Sequence, residues 1–303
     1  MDVAQLSSAE LRHRLSKSGL RIRVGPVVAA IRSPFEVVQR SIDLHYASHE
    51  VVTPDAFSDF DLTIQRAGGI RRWVRPKAIF HFDSTSPFKP LPGDQAFALL
   101  EWGLNWAIAA HCHQYLIIHS AVVERDGRAL LLPAPPGSGK STLCAALVAR
   151  GWRLLSDELT IIDLDTVTIV PIPRPISLKN ESIDLIRVFW PEAVVGEVIH
   201  DTLKGSVAHV RPPSSNVHRS TEIARPGWIV LPRFQRGDSP TLSPLPKAAA
   251  FMQLIDNAFN YSLHGRYGFE RLTRLVDSSE CHEFRYGGDL DEAVRRFDCL
   301  AIS

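Results

Sequence analysis

Residues 115–170 read YLIIHSAVVERDGRALLLPAPPGSGKSTLCAALVARGWRLLSDELTIIDLDTVTIV. Two apolar runs flank an Asp126-Gly127 turn, a Gly-rich loop and the amphipathic STLCAALVARG follow, and two more apolar runs close the stretch. This predicts strand, turn, strand, loop, helix, strand, turn, strand. The segment from Ala134 to Thr142, APPGSGKST, follows the Walker A pattern G-x-x-x-x-G-K-[ST] except that Ala134 stands at the first glycine. Its flanks fit: the strand RALLL enters the loop and a helix leaves it. Gly137 and Gly139 permit a turn that points successive backbone N–H groups at phosphate oxygens, and the helix dipole adds to that field. Lys140 would neutralise the outer phosphates and the Ser141 hydroxyl would ligate Mg²⁺. Pro136, Gly137, Ser138, Gly139, Lys140, Ser141 and Thr142 are therefore the nucleotide-binding candidates. If the first position requires positive φ, Ala134 is strained there by roughly 1 kcal/mol.

Upstream, the chain alternates short elements. SSAELRHRLSKSG starts with a capping signal, Ser8 followed by Glu10 and Leu11, and reads as a short helix, while LRIRVGPVVAAIR alternates as a strand does. SPFEVVQRSIDLHYA reads as a helix opened by Pro34, and DFDLTIQRAG and WVRPKAIFHFD read as strands. The Pro-rich stretch 84–93 is the expected boundary between an N-terminal α+β unit, 1–93, and a larger unit, 94–303. From Asp94 to about Tyr115 the pattern is apolar almost all round, which predicts a buried helix. Downstream, GSVAHVRPP and GWIVLPRF read as strands, AAAFMQLIDNAFNYSLHG as one helix and LDEAVRRFDCLA as a closing helix.

Composition removes whole classes. With 303 residues, 45% hydrophobic and 22% charged, the chain is long and apolar enough to bury a core, and it is neither disordered nor collagen-like. Lys plus Arg number 34 and Asp plus Glu 33, so no excess charge points to nucleic acid or to a membrane surface. Four scattered cysteines and an N-terminus without an apolar signal region lead us to expect reduced thiols and a cytoplasmic protein. His111-Cys112-His113 looks metal-like, but successive side chains on a helix diverge and no second ligand pair has zinc spacing.

A phosphate loop does not name a reaction. No N-K-x-D motif for reading a guanine base and no L-S-G-G-Q transporter signature accompanies it. What does accompany it is His119, two short strands upstream in LIIHSAVV, and Asp157-Glu158 at the end of the next strand in RLLSDELTII. With these residues the sequence resembles the catalytic domain of HPr kinase/phosphorylase, and more closely the HPr kinase-related kinase A branch. The resemblance covers roughly residues 100–300, helped by PRPISLKN, GSVAHVRPP and GWIVLPRF. It departs where true HPr kinases carry paired aspartates, and it lacks their C-terminal signature.

The resemblance implies an α/β fold, a P-loop kinase of the HPr kinase (PEP carboxykinase-like) type with a small α+β N-terminal domain. It implies an ATP- and Mg²⁺-dependent kinase that phosphorylates a serine hydroxyl of a protein or peptide. Asp157 would accept the hydroxyl proton, Glu158 would be the second carboxylate for Mg²⁺, and His119 would hydrogen-bond Asp157 and hold its orientation. HPr kinases are oligomeric, so homo-oligomers are expected too. From loops, Lys179, Lys204 and Arg211 are candidates to reach phosphate or substrate, Arg211 through its flat guanidinium. Two other readings stay open: a small-molecule hydroxyl kinase on the same fold, and a nucleotide-binding regulator without turnover.

Overall fold

The N-terminal part is built on a hairpin. In the computed structural model, which describes residues 1–69, 76–83, 85–135 and 137–302, Leu20–Val24 (β1) and Val27–Arg32 (β2) pair antiparallel. LRIRVGPVVAAIR is thus two strands where the alternation predicts one, because Gly25 at φ +57° reverses the chain before Pro26. Before the hairpin, Ser8–His13 (α1) is capped by Ser7, whose side chain accepts from the Glu10 N–H, one residue ahead of the predicted Ser8 cap. Glu36–His45 (α2) carries the chain over to Phe60–Arg66 (β3), which lies parallel to β2. Lys77–Phe82 (β4) and Leu91–Pro92 (β5) complete a five-stranded sheet in sequence order. Residues 73–75 of the predicted strand and Ser84 of the boundary stretch lie outside the described residues.

Ala96–His111 (α3) is the expected buried helix. Its Phe97, Leu100 and Leu104 share one core with Leu62, Ile64 and Phe80 of the N-terminal sheet. Gly103 allows the close approach, since a Cβ there would stand 2.0 Å from the Phe80 ring. The same core takes in Ile117, Leu159 and Ile161 from further along the chain.

The stretch 115–170 folds as its pattern predicts but with one strand more, since RLLSDELTII breaks at Asp157-Glu158: Tyr115–Arg125 (β6), Arg128–Pro133 (β7), Lys140–Ala149 (α4), Arg153–Ser156 (β8), Leu159–Asp163 (β9) and Ile169–Val170 (β10). Asp126 and Gly127 both have positive φ, the geometry of a tight hairpin turn. These strands join Arg225–Phe234 (β14), Thr241–Pro244 (β15) and Glu280–Tyr286 (β16) in one sheet ordered β10-β9-β6-β7-β14-β16-β15, with β8 also paired to β6. β7, β14 and β16 are parallel and β6 runs against them. Along β7 the period of two is visible: Leu130 and Leu132 pack toward α4, Ala129 and Leu131 toward the opposite face.

A third sheet, ordered β11-β13-β12, comprises Ile176–Lys179 (β11), Ile199–Thr202 (β12) and Gly205–Val210 (β13). Its Ile176, Leu178, Ala208 and Val210 share the core beneath α4, leaving Ser177, Lys179 and His209 on the other face. Two short helices, Glu181–Phe189 (α5) and Ser214–His218 (α6), follow β11 and β13. The single helix predicted over AAAFMQLIDNAFNYSLHG is two, Lys247–Asp256 (α7) and Tyr261–Asp277 (α8). The break at 257–260 is held by sheet contacts: His119 N–H donates to the Asn257 carbonyl, and Asn260 Oδ1 accepts from the Ile117 N–H. Leu290–Ile302 (α9) closes the chain against α4. No helix among the described residues is long and apolar enough to cross a membrane.

Candidate active site

The site forms where β7 ends, α4 begins and β8 turns into β9. Gly137 and Gly139 both take φ near +86°, which bends the loop. Ala134 is absent from the positive-φ residues and is buried, so the strain expected there does not arise. Gly139 caps α4 with no side chain, leaving the first-turn N–H groups of Lys140, Ser141 and Thr142 without a side-chain acceptor. The loop is pinned from below: the Tyr286 hydroxyl donates to the Gly139 carbonyl at 2.8 Å, and the Phe234 N–H donates to the Ser138 carbonyl. A Cβ on Gly139 would stand 2.1 Å from that hydroxyl. Ser138 Oγ is buried without a partner among the described residues. Pro136 lies outside the described residues.

Register decides which side chains meet. His119 pairs with Leu159 across β6 and β9, and the Ser120 N–H donates to the Glu158 carbonyl. That places the His119 ring between two charges: Lys140 Nζ stands 2.5 Å from Nε2 and the Glu158 carboxylate 3.5 Å from Nδ1. Lys140 Nζ also reaches the Ala134 carbonyl at 3.4 Å. Lys140 as donor leaves Nε2 the acceptor and Nδ1 the protonated nitrogen. Burial, then the lysine's charge, pulls the imidazole down to about 4, so it is neutral at physiological pH.

Asp157 points the other way. Its Oδ2 accepts the Ser177 N–H of β11 at 3.0 Å, and its Oδ1 is buried with no partner. The carboxylate that faces His119 is thus that of Glu158, 3.5 Å from Nδ1, and not the expected one of Asp157. Neighbouring residues project oppositely, and β11 claims the first acid while β6 claims the second. Burial, then the Glu158 charge, lifts the Asp157 carboxyl to about 6. Burial alone would raise Glu158, but Lys179, Lys140, His119 and Lys204 together hold it below the usual range. Lys140 is lowered by burial, which Glu158 and Asp157 partly offset.

Lys179, from β11, thus acts on both acids and Lys204, from the turn before β13, on Glu158, with Lys204 Nζ 5.0 Å over the Trp102 ring. Arg211 lies elsewhere, in a cavity beside α2, where its charge acts on His45. Ser177, His209, Tyr286 and Phe259 were not legible as site residues. Ser177 and Tyr286 act through or on backbone atoms, and Phe259, half exposed, meets the His119 ring edge-on at 5.9 Å only because of the break after α7.

A nucleoside triphosphate and Mg²⁺ fit these residues. The uncapped helix amides and the orphaned Ser138 hydroxyl match phosphate oxygens, while Ser141, Glu158 and the free Asp157 oxygen supply hard donors for a cation that keeps several waters. No trio of His, Cys, Asp or Glu among the described residues is placed to hold a metal alone.

The chain matches no known family model, and no curated protein matches it. Among the solved structures that match is the Hpr(Ser) kinase/phosphatase from Coxiella burnetii, which is 12% identical, covers 61% of this chain and 97% of that one, and superposes with a TM-score of 0.27.

Proposed function

We propose that the chain is an ATP-dependent phosphotransferase that moves the γ-phosphoryl group to a hydroxyl, with a serine of a protein or peptide as the acceptor. One observation carries this: an uncapped strand-loop-helix junction whose lysine converges with His119 and an acid pair. In this reading the amides from Gly137 to Thr142 and Lys140 hold the donor's phosphates, and Ser141 and Glu158 hold Mg²⁺, which neutralises charge between the outer phosphates. Asp157, ionised above pH of about 6, takes the acceptor's proton. The acceptor oxygen then bonds the γ-phosphorus as its bond to the bridging oxygen breaks, and ADP leaves. Lys179 and Lys204 add positive charge where the transferred group passes.

The test is labelled phosphate transfer from γ-labelled ATP with Mg²⁺ into a desalted cell extract, with Lys140→Ala and Asp157→Asn alongside. A labelled protein band, lost in both variants, is expected. Label only in small molecules would support the metabolite-kinase reading, for which a cavity of about 760 Å³ beside α2 offers room. Nucleotide bound with no label anywhere would leave a regulator without turnover.

A further inference from the structure

That cavity lies between α2, the start of α3 and the edge made by β12 and β13. Its volume of about 760 Å³ suits a small organic molecule. Three rings floor it: His45 from the last turn of α2, Phe97 from the first turn of α3 and His209 from β13, none more than 3% exposed. They fix one another. His45 stacks on Phe97 at 5.4 Å, Phe97 meets His209 edge-on at 5.1 Å, and the two imidazoles stand 6.0 Å apart.

His45 Nδ1 is buried without a partner, and among the described residues no ring nitrogen of His209 is hydrogen-bonded. Gly196 backs onto the other side of His45, where a Cβ would stand 2.4 Å from Nε2. Unmade hydrogen bonds of buried groups are costly, and His45 Nδ1 is such a group on a ring that lines this cavity. Two residues beyond His209, Arg211 lines the same cavity and has no ion-pair or hydrogen-bond partner for its guanidinium among the described residues.

The cavity also carries carboxylates, on its rim: Asp43, Asp94, Glu197 and Asp201, all exposed, with Glu197 facing Arg40 across the mouth at 3.7 Å. Water and salt screen them, whereas at His45 the charges of Glu101, which raises the ring, and of Arg211, which lowers it, act through protein. Burial, then His209, pulls His45 down to about 3, and burial, then Arg174, pulls His209 to about 4. Both rings are therefore neutral, each with one N–H to donate.

We infer that this cavity binds a small organic anion, its carboxylate or phosphate oxygens held by Arg211 and by ring N–H groups of His45 and His209. The rim carboxylates favour a molecule whose outer end is neutral or cationic. This inference stands apart from the phosphotransferase reading, although Glu158, Lys179 and Lys204 all act on the His209 ring and place the cavity's floor near the acid pair.

The full chain, saturated with Mg²⁺ and a non-hydrolysable ATP analogue so that the phosphate loop is filled, is titrated with succinate and separately with glycerol 2-phosphate. Ring C–H resonances of His45 and His209 are followed by NMR. Both are expected to move together and saturate with one dissociation constant, and Arg211→Gln and Gly196→Val are each expected to weaken that binding by roughly tenfold or more while the far-ultraviolet circular dichroism stays native. A response to succinate alone or to the phosphate ester alone identifies the head group and supports the site. No saturable shift of the pair up to roughly 50 mM of either probe, or saturation undiminished in Arg211→Gln, overturns it. Failure of the ATP analogue to bind counts against the phosphotransferase reading and leaves this readout intact.

Discussion

Lys140 has two acceptors within the chain, His119 Nε2 at 2.5 Å and the Ala134 carbonyl at 3.4 Å. A buried ammonium needs such partners, because leaving it unpaired in a low-dielectric site is the expensive alternative. His119 is therefore a positioning residue: it parks the lysine and, through Nδ1, faces Glu158. His119→Ala is expected to slow transfer about tenfold while the dissociation constant for an ATP analogue changes less than about threefold, since the loop amides and Lys140 remain. Single-turnover transfer and calorimetric titration separate the two effects. A loss of nucleotide affinity as deep as that of Lys140→Ala would mean that His119 holds the lysine in its working position and not merely its resting one. The loop's residues were legible in sequence because the motif and its flanks are local, whereas the partner of His119 was not. That partner is set by the register of β6 on β9, which turns Glu158 toward the ring and gives Asp157 to Ser177.

At the scale of elements, the strand-loop-helix unit separates the roles of its two glycines. Both have φ near +86°, but Gly137 has no heavy atom within 4 Å of a built Cβ, while Gly139 faces the Tyr286 hydroxyl at 2.1 Å. Gly137→Ala should therefore cost only the backbone strain, about 1 kcal/mol. Gly139→Ala must also displace Tyr286, which donates to the Gly139 carbonyl and packs against Phe234. A loss at least twice as large is expected, with nucleotide binding lost as the first turn of α4 shifts. Urea unfolding of both variants, with Tyr286→Phe in a double-mutant cycle, measures the difference, and equal losses would refute the steric account. Most elements were visible as apolar periodicity. Those misread share a cause: the 20–32 hairpin and the α7 to α8 break keep an unbroken local pattern, and only pairing across the sheet reveals Gly25 as a turn and Asn260 as an anchor. Of the third sheet only β13 was read, as GSVAHVRPP; β11 and β12, strands of four residues each, gave too little pattern to expect.

Across the whole molecule, long-range buried polar contacts tie the N-terminal sheet to the segment that feeds β11. Tyr46 donates to Glu101 at 2.5 Å, Arg174 donates to the same carboxylate at 2.9 Å, and His49 Nε2 stands 3.0 Å from the Pro173 carbonyl. No local pattern announces such a cluster, since its members lie 55 and 73 residues apart in the chain. It makes the fold acid-sensitive. Burial holds His49 at about 4, as it holds His45 at about 3 and His209 at about 4, against about 6.5 in an unfolded chain. Above that value neither state binds the protons and stability is unaffected. As pH falls from about 6.5 toward 4, the unfolded chain takes protons that the fold refuses, and each histidine withdraws about 1.4 kcal/mol per pH unit. Asp157 works in the opposite direction, because its carboxyl at about 6 binds a proton in the fold before the unfolded chain does. His119, held at about 4, adds to the same loss, and the net loss between pH 7 and 5.5 is expected to be about 4 kcal/mol. Urea unfolding at the two pH values checks it, beside His49→Gln, whose loss on acidification should be smaller by about 1.3 kcal/mol. An equal loss in the variant would show that His49 is not held neutral by the fold, and that the acid sensitivity resides elsewhere in the core.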